Sequence, residues 1–421
     1  MKSNANTNKL NAIETIKKKL IGKTLTYHEI FNLMDEIAHH KMGDILTTYF
    51  VASSFQQGFS EEELYHFTKA MVETGKKIKF DGIVADKHCI GGIAGTRTSM
   101  IIVPIIAAAG FKIPKLSSRA ITSPAGTADS METLAQVSFK VDKVHDIVEK
   151  VGGCIVWNGN MGIAPADDII IQVEEPLSFE SYDKVIVSIM AKKIAVSANH
   201  LILDIPVGAT MKVRNTEDAE KIAAKFKRLA KRFNIEITID INYMYEPAGR
   251  GVGPALEALD VLYILEQSPL RPINLEKKAL RLTGKLLDSC FKHAQIDKDG
   301  EKEALHLLQS GQALKKFKEI IKAQDGDDHV TSRSFTIKGH NAELKAIHSG
   351  KISKVNNFNI NTIARILGAP EDQYAGIYLL KRRGESIKKG EALLRFHSTD
   401  KYKLKEAQDT IINIPIYTIE K

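Results

Sequence analysis

The sequence predicts an α/β protein in three parts: a helical unit, a larger α/β unit and a C-terminal β-rich α+β unit. Three observations carry this. The first 75 residues place apolar side chains at three- and four-residue steps. From Ile83 onward, short apolar runs of strand length alternate with helical stretches. From about Ser349, β-like runs are punctuated by glycine turns.

Taken in order, residues 11–20 and 27–39 carry helical periodicity, and the helix of 61–75 begins after Ser60 with Glu63 at capping-box spacing. The runs 155–157, 201–205 and 235–241 read as buried parallel strands, with a helical segment at 182–200 between two of them. At the end, Ile352, Val355, the segment 375–378 and the pair Gly384/Gly390 read as short strands and turns.

Composition excludes several classes. A chain of 421 residues with 43% hydrophobic content can build two or three cores. Cys89, Cys154 and Cys290 provide neither a disulfide framework nor metal-ligand spacing, so a reducing cytoplasm is expected. The first 20 residues lack the apolar centre of a signal peptide. The longest apolar run, 100–111, is too short to cross a bilayer and contains Pro104. The net charge of +8 is spread over scattered lysines such as Lys17-Lys18-Lys19 and Lys315-Lys316, which describes a solvated surface rather than a face for nucleic acid.

Residues 86–129 are the chemically specific part. Two loops rich in glycine and hydroxyls flank one apolar, helix-length run. The first joins Lys87 and His88 to Gly91, Gly92, Gly95, Thr96, Arg97, Thr98 and Ser99; the second runs from Ser117 to Thr127 around Arg119. Backbone N–H groups, hydroxyls and cations gathered at a helix N-terminus make an anion site, and phosphate is its natural ligand.

This pair of loops resembles the nucleoside phosphorylases of the thymidine phosphorylase class, whose signature reads Lys87-His88-x-x-Gly91-Gly92, then Ser-x-Arg and Gly-Thr-x-Asp. Within that class it is similar to the archaeal AMP phosphorylases and to bacterial relatives labelled as thymidine phosphorylases, through Ser118-Arg119-Ala120-Ile121-Thr122-Ser123. Further matching stretches begin at Ala164, Ser188, Asp204 and Gly249, so the resemblance runs from about Ile13 to about Leu394. It implies the nucleoside phosphorylase/phosphoribosyltransferase class II fold. The expected helical domain is discontinuous, 1–75 with 166–196; the α/β phosphate-binding domain is 76–165 with 197–330; the C-terminal domain is 331–421; and the ligand cleft lies between the first two.

The resemblance also implies site residues. Lys87, Ser99, Ser117 and Thr127 are expected on phosphate. Gly92, Ser118, Arg119, Ala120, Ile121, Thr122, Ser123, Thr127, Ser188, Lys192 and Lys212 are expected on the nucleotide. His88 matches the histidine that reads a base carbonyl in pyrimidine phosphorylases, and Glu180 stands where AMP-type proteins have an aspartate that protonates the leaving base. Arg119 has two readings, ligand contact or a brace for its own loop; the first is preferred. Ser188 and Lys192, four apart, share a helix face.

Three departures bear on substrate. Cys89 replaces a serine of the clamp, Glu180 is one methylene longer than aspartate, and the arginine that grips a pyrimidine carbonyl is missing from Gln172-Val173-Glu174-Glu175-Pro176. A carboxylate there cannot donate to a pyrimidine carbonyl oxygen. The expected reaction is therefore phosphorolysis of a nucleoside 5′-monophosphate to base and ribose 1,5-bisphosphate, with thymidine phosphorolysis as the alternative. The expected partners are nucleoside or nucleotide and inorganic phosphate as co-substrate, with no metal, organic cofactor, nucleic acid or membrane. A homodimer through the N-terminal helices is expected, and no larger assembly, because the extra N-terminal domain of the archaeal proteins has no counterpart here. Two other classes stay open: a dinucleotide-binding oxidoreductase, from Gly249-x-Gly251-x-Gly253, and a non-catalytic nucleotide sensor.

Overall fold

The structure, a computed structural model, describes residues 2–91, 93–120, 123–159, 161–174 and 181–420. Four helices lead the chain: α1 (Lys2–Leu20), α2 (Tyr27–Ala38), α3 (Gly43–Gln57) and α4 (Glu61–Glu73). Thr26 and Ser60 both close capping boxes, with Glu29 and Glu63 respectively. Their apolar faces form one core in which Leu33, Phe50, Phe67 and Met71 meet Ile170 of α8 (Pro165–Glu174) and Val187 of α9 (Tyr182–Ala195). The later helices thus fold back onto the first four.

Between them runs a parallel sheet. Strands β1 (Ala85–Cys89), β4 (His200–Val207) and β5 (Glu236–Tyr243) pair in parallel, as do β2 (Ile113–Ser117) and β3 (Gly153–Trp157). A bridge between Val84 and Lys112 sets β2 beside β1. The resulting order is β3-β2-β1-β4-β5: the chain moves outward from β1 to β3 and then returns to the other side of β1. That reversal opens a crevice at the carboxyl ends of β1 and β4, where ligands bind in open parallel sheets. Helix α5 (Ser99–Ala108), buried on every side, packs beneath it against α12 (Ile273–Ala294) and α14 (Gln312–Ala323).

Two sequence expectations are corrected. The helix expected at 182–200 ends at Ala195, where Ser197 turns with φ of 56°, and His200 already begins β4. The run 235–241, expected as a buried strand, falls almost wholly in β5 at the sheet edge, where Asp240 is the one buried residue of the strand.

The C-terminal part holds two antiparallel sheets. One contains β8 (Gly350–Val355), β10 (Ser386–Ile387) and β12 (Tyr417–Glu420); the other contains β7 (His340–Lys345), β9 (Gly376–Leu379) and β11 (Ala392–Ser398). A short strand from the preceding unit, β6 (Gly251–Val252), pairs with β9 and completes the second sheet. This disposes of the dinucleotide reading. A Cβ on Gly251 would sit 2.2 Å from the Leu256 carbonyl oxygen, and one on Gly253 2.2 Å from that of Ala375, so these glycines serve close packing of protein on protein. The N–H groups of Arg250 and Gly251 are already taken by Asp260.

Candidate functional site

Strand β1 sends alternate side chains to opposite faces. Lys87 and Cys89 face Asp204 of β4; Asp86 and His88 face β2 and α9. On the first face Lys87, itself buried, lies 4.0 Å from Asp204, which also accepts hydrogen bonds from Lys278 (2.8 Å) and Asn242 (2.7 Å). Burial lowers the Lys87 pKa from the usual lysine value, while Cys89 and Asp204 oppose the shift. Burial pushes the Cys89 thiol up to about 12, and Asp204 adds to it, so this residue is a neutral, weak donor.

On the second face Asp86 accepts from Lys193 (2.6 Å) and lies 3.5 Å from Lys115. Burial, reinforced by Lys193 and Lys87 against the pull of Asp86, brings the Lys115 pKa down to about 7. His88 stands above this group. Burial, followed by the charges of Lys193, Lys115, Lys87 and Lys192, holds its pKa well below 6.5, and its Nδ1 is enclosed without a hydrogen-bond partner. The imidazole is neutral at physiological pH, ringed by cations, and holds an unused polar atom.

The first loop continues into the N-terminus of α5. Gly95 adopts φ of 60° where a Cβ would lie 2.7 Å from the Gly251 carbonyl oxygen, so only glycine fits. Arg97 is paired with Glu257, Ser99 is buried, and the Thr98 hydroxyl is buried with no partner. The second loop is organised by Asp129 on α6 (Thr127–Glu132), whose carboxylate accepts from the N–H groups of Ala120 and Gly126, each at 2.7 Å. Arg119 donates to Asp129 and Glu132 and lies over Trp157, 4.8 Å from the ring centroid. Both carboxylates raise its pKa further, Glu132 foremost. These ion pairs are the contacts of a brace for the second loop. The Ser117 and Ser123 hydroxyls are turned to nearby carbonyls, those of Ser118 and Ala125.

Opposite these loops, Ser188 of α9 donates to Asp167 at 2.8 Å, and Lys192 lies 2.6 Å from the same oxygen, so the expected shared face exists. Asn158 links the two sides: its N–H donates to the Ser117 carbonyl (3.0 Å) and its amide to Asp168 (3.3 Å). Burial raises Asp168 to about 7, with Asp167 adding and Lys192 opposing. Lys212 carries its backbone carbonyl to the Tyr182 hydroxyl at 3.0 Å and is among the charges that lower Lys184. Gly92, Ile121, Thr122 and Glu180 lie outside the described residues.

Sequence reasoning passed over Asp86, Lys115, Lys193, Asp204 and Lys278, which furnish most of the charge. A signal existed: Lys115 and Asp204 are lone charges inside apolar strands, and a charge so buried requires a partner.

Residues 81–314 match the model of the glycosyl transferase family a/b domain, and 13–75 match that family's helical bundle domain. The chain belongs to the glycosyl transferase family. Residues 351–416 of this transferase match the pyrimidine nucleoside phosphorylase C-terminal domain. AMP phosphorylase 1 of Archaeoglobus fulgidus is 41% identical over 397 residues, covering 94% of this chain and 78% of the relative. A protein of Legionella pneumophila (strain Paris), provisionally named a thymidine phosphorylase, is 39% identical over 407 residues, covering 96% and 77%. Among solved structures, anthranilate phosphoribosyltransferase from Thermus thermophilus shares the fold, with a TM-score of 0.62 at 15% identity over 74% of this transferase and 99% of that chain. Among the described residues, no helix is long and apolar enough to cross a membrane.

Proposed function

We propose that this transferase catalyses the reversible phosphorolysis of a nucleoside 5′-monophosphate, with AMP as the preferred substrate. A phosphate oxygen attacks the anomeric carbon as the glycosidic C–N bond breaks; the base leaves with the bonding pair and takes a proton from the Glu180 carboxyl. Products are the free base and ribose 1,5-bisphosphate. Lys87, Ser99, Ser117 and Thr127 hold phosphate. Gly92, Ser118 to Ser123, Thr127, Ser188, Lys192 and Lys212 hold the nucleotide, and Arg119 also shapes its own loop through Asp129 and Glu132.

The observation that carries this reading is the ring of lysines around neutral His88, whose buried Nδ1 has no hydrogen-bond partner; Thr98, Asn158 and Asp167 likewise hold buried polar atoms without one. Unpartnered buried polar atoms are costly unless a ligand meets them. Neutral His88 suits hydrogen bonding to a base or phosphate oxygen without a proton being lost to solution. The AMP phosphorylases at 40–41% identity over 94% of this chain support the nucleotide substrate. The pyrimidine-type C-terminal match supports thymidine phosphorolysis as the second reading.

The same reading divides the chain into domains at 1–75 with 166–196, 76–165 with 197–330, and 331–421. It makes the enzyme a cytoplasmic homodimer that needs phosphate but no metal or organic cofactor. Phosphate consumption measured with AMP, CMP, UMP, uridine and thymidine tests the substrate. Monophosphates are expected to give the higher kcat/KM, because a 5′-phosphate contact contributes binding that a nucleoside lacks. Glu180→Gln is expected to lower kcat and leave nucleotide binding nearly intact. Thymidine outpacing all three monophosphates, with Glu180→Gln fully active, returns the protein to the thymidine reading.

A further inference from the structure

A second cleft, of about 660 Å³, lies away from His88, where the carboxyl end of β5 meets the C-terminal sheets. Its lining is cationic: Lys277, Lys278 and Arg281 on α12, Lys351 on β8 and Arg383, against Glu246 and Glu420. Arg281 donates to Asp240 at 2.8 Å, yet its Nε is buried with no partner. Two tyrosines also line the cleft. Tyr243 and Tyr245 are 61% and 56% exposed, an unusual state for aromatic rings inside a cleft. The Tyr243 hydroxyl is anchored on Thr216 at 2.5 Å, and Arg383 lies 4.5 Å from the centroid of the Tyr245 ring.

We propose that this cleft is an effector site for a nucleoside di- or triphosphate, separate from the catalytic cleft and independent of which nucleotide is the substrate. Cations supplied from both domains match a polyphosphate chain, and the exposed tyrosine faces match a planar base. The cleft is wired to the first loop by two routes. Its wall, residues 242–248, is bonded to that loop through Ala248 N–H to the Thr96 hydroxyl (3.2 Å), and the next residue, Gly249, donates its N–H to the Gly95 carbonyl (2.7 Å). Its floor, Lys278 and Asn242, shares Asp204 with Lys87. A ligand that shifts either one alters the phosphate clamp.

Calorimetric titration of the full chain with ATP tests this, alongside pyrophosphate and the variants Lys277→Ala, Lys351→Ala, Tyr245→Ala and Lys87→Ala. Saturable one-to-one ATP binding is expected, weakened about tenfold or more by Lys277→Ala or Lys351→Ala and retained in Lys87→Ala. Pyrophosphate should bind more weakly than ATP, by the margin that Tyr245→Ala removes. In turnover assays ATP should shift the phosphate KM of the wild type and not of Lys351→Ala, whose activity without ATP is unchanged. Binding that Lys87→Ala abolishes and the cleft variants leave intact assigns ATP to the catalytic cleft and overturns the proposal. So does absence of saturable binding. Equal affinity for pyrophosphate and ATP overturns the nucleoside part, and an unmoved phosphate KM overturns the effector role.

Discussion

Lys87 and His88 are neighbours in β1, yet strand alternation gives them different partners. Lys87 is held against Asp204 on the side of the first loop, so its removal should act on phosphate: Lys87→Ala and Thr127→Ala are expected to raise the phosphate KM and lower kcat together. Each lost charge-assisted contact costs about 1.5–3 kcal/mol. Steady-state kinetics with phosphate varied checks this, and unchanged phosphate parameters in both variants assign the loops to another ligand. Asp168 offers a test of electrostatics. Its folded pKa of about 7 lies above its ordinary 3.8, so the folded state keeps a proton that the unfolded chain has released. The stability this residue contributes is present below the unfolded value and is lost as pH rises through about 7. Asp168→Asn keeps an acceptor for Asn158 and cannot ionise. Its melting temperature relative to wild type should therefore climb between pH 4 and pH 8; an offset that does not change with pH refutes the assignment.

At the scale of elements, what the sequence made legible was whatever local chemistry decides. Ser60 and Glu63 are a cap by spacing alone, the glycine-rich loops announce an anion site, and alternating apolar runs announce a parallel sheet. Tertiary contacts decided the rest. Strand β5 stands at the sheet edge, and its alternation of Ile237, Ile239 and Ile241 with Thr238, Asp240 and Asn242 is that of a half-buried strand rather than the continuous apolar run of a buried one. Strand β6 is two residues long and exists only because β9 receives it. The family match favoured ligand contact for Arg119; the brace it also makes was not legible, since its partner Glu132 lies a full turn beyond the quoted motif. Asp129 is the keystone of that loop, taking two backbone N–H groups and Arg119 at once. Asp129→Ala strands these donors, at about 1–3 kcal/mol for each that stays buried. A lower melting temperature and new proteolytic cleavage between Ser117 and Thr127 are expected. An unaltered digestion pattern would show that the loop is held by something else.

Across the whole molecule, the glycine-rich loops are not self-supporting. The first loop's Ala94 and strand β6's Val252 belong to the same core as Ile377, Leu394 and Phe396 of the C-terminal sheets, so the C-terminal part shapes the first loop. The strongest polar tie is Arg382. Buried to 9% exposure, it donates to the carbonyl oxygens of Pro247 (2.6 Å), Ala248 (3.0 Å) and Gly249 (2.6 Å), and Gly249 in turn holds Gly95. One guanidinium thus fixes the segment against which the clamp is built, and a lysine cannot reproduce that fork. Arg382→Lys should raise the phosphate KM several-fold through the Gly95 turn. The nucleotide KM should change far less, because Ser188, Lys192 and the second loop are braced separately by Asp167 and Asp129. Kinetics with each substrate varied in turn distinguishes this from a general loss of folded protein, which lowers apparent kcat and moves neither KM. Equal effects on both substrates would mean that the C-terminal domain supports the enzyme as a whole rather than the phosphate clamp.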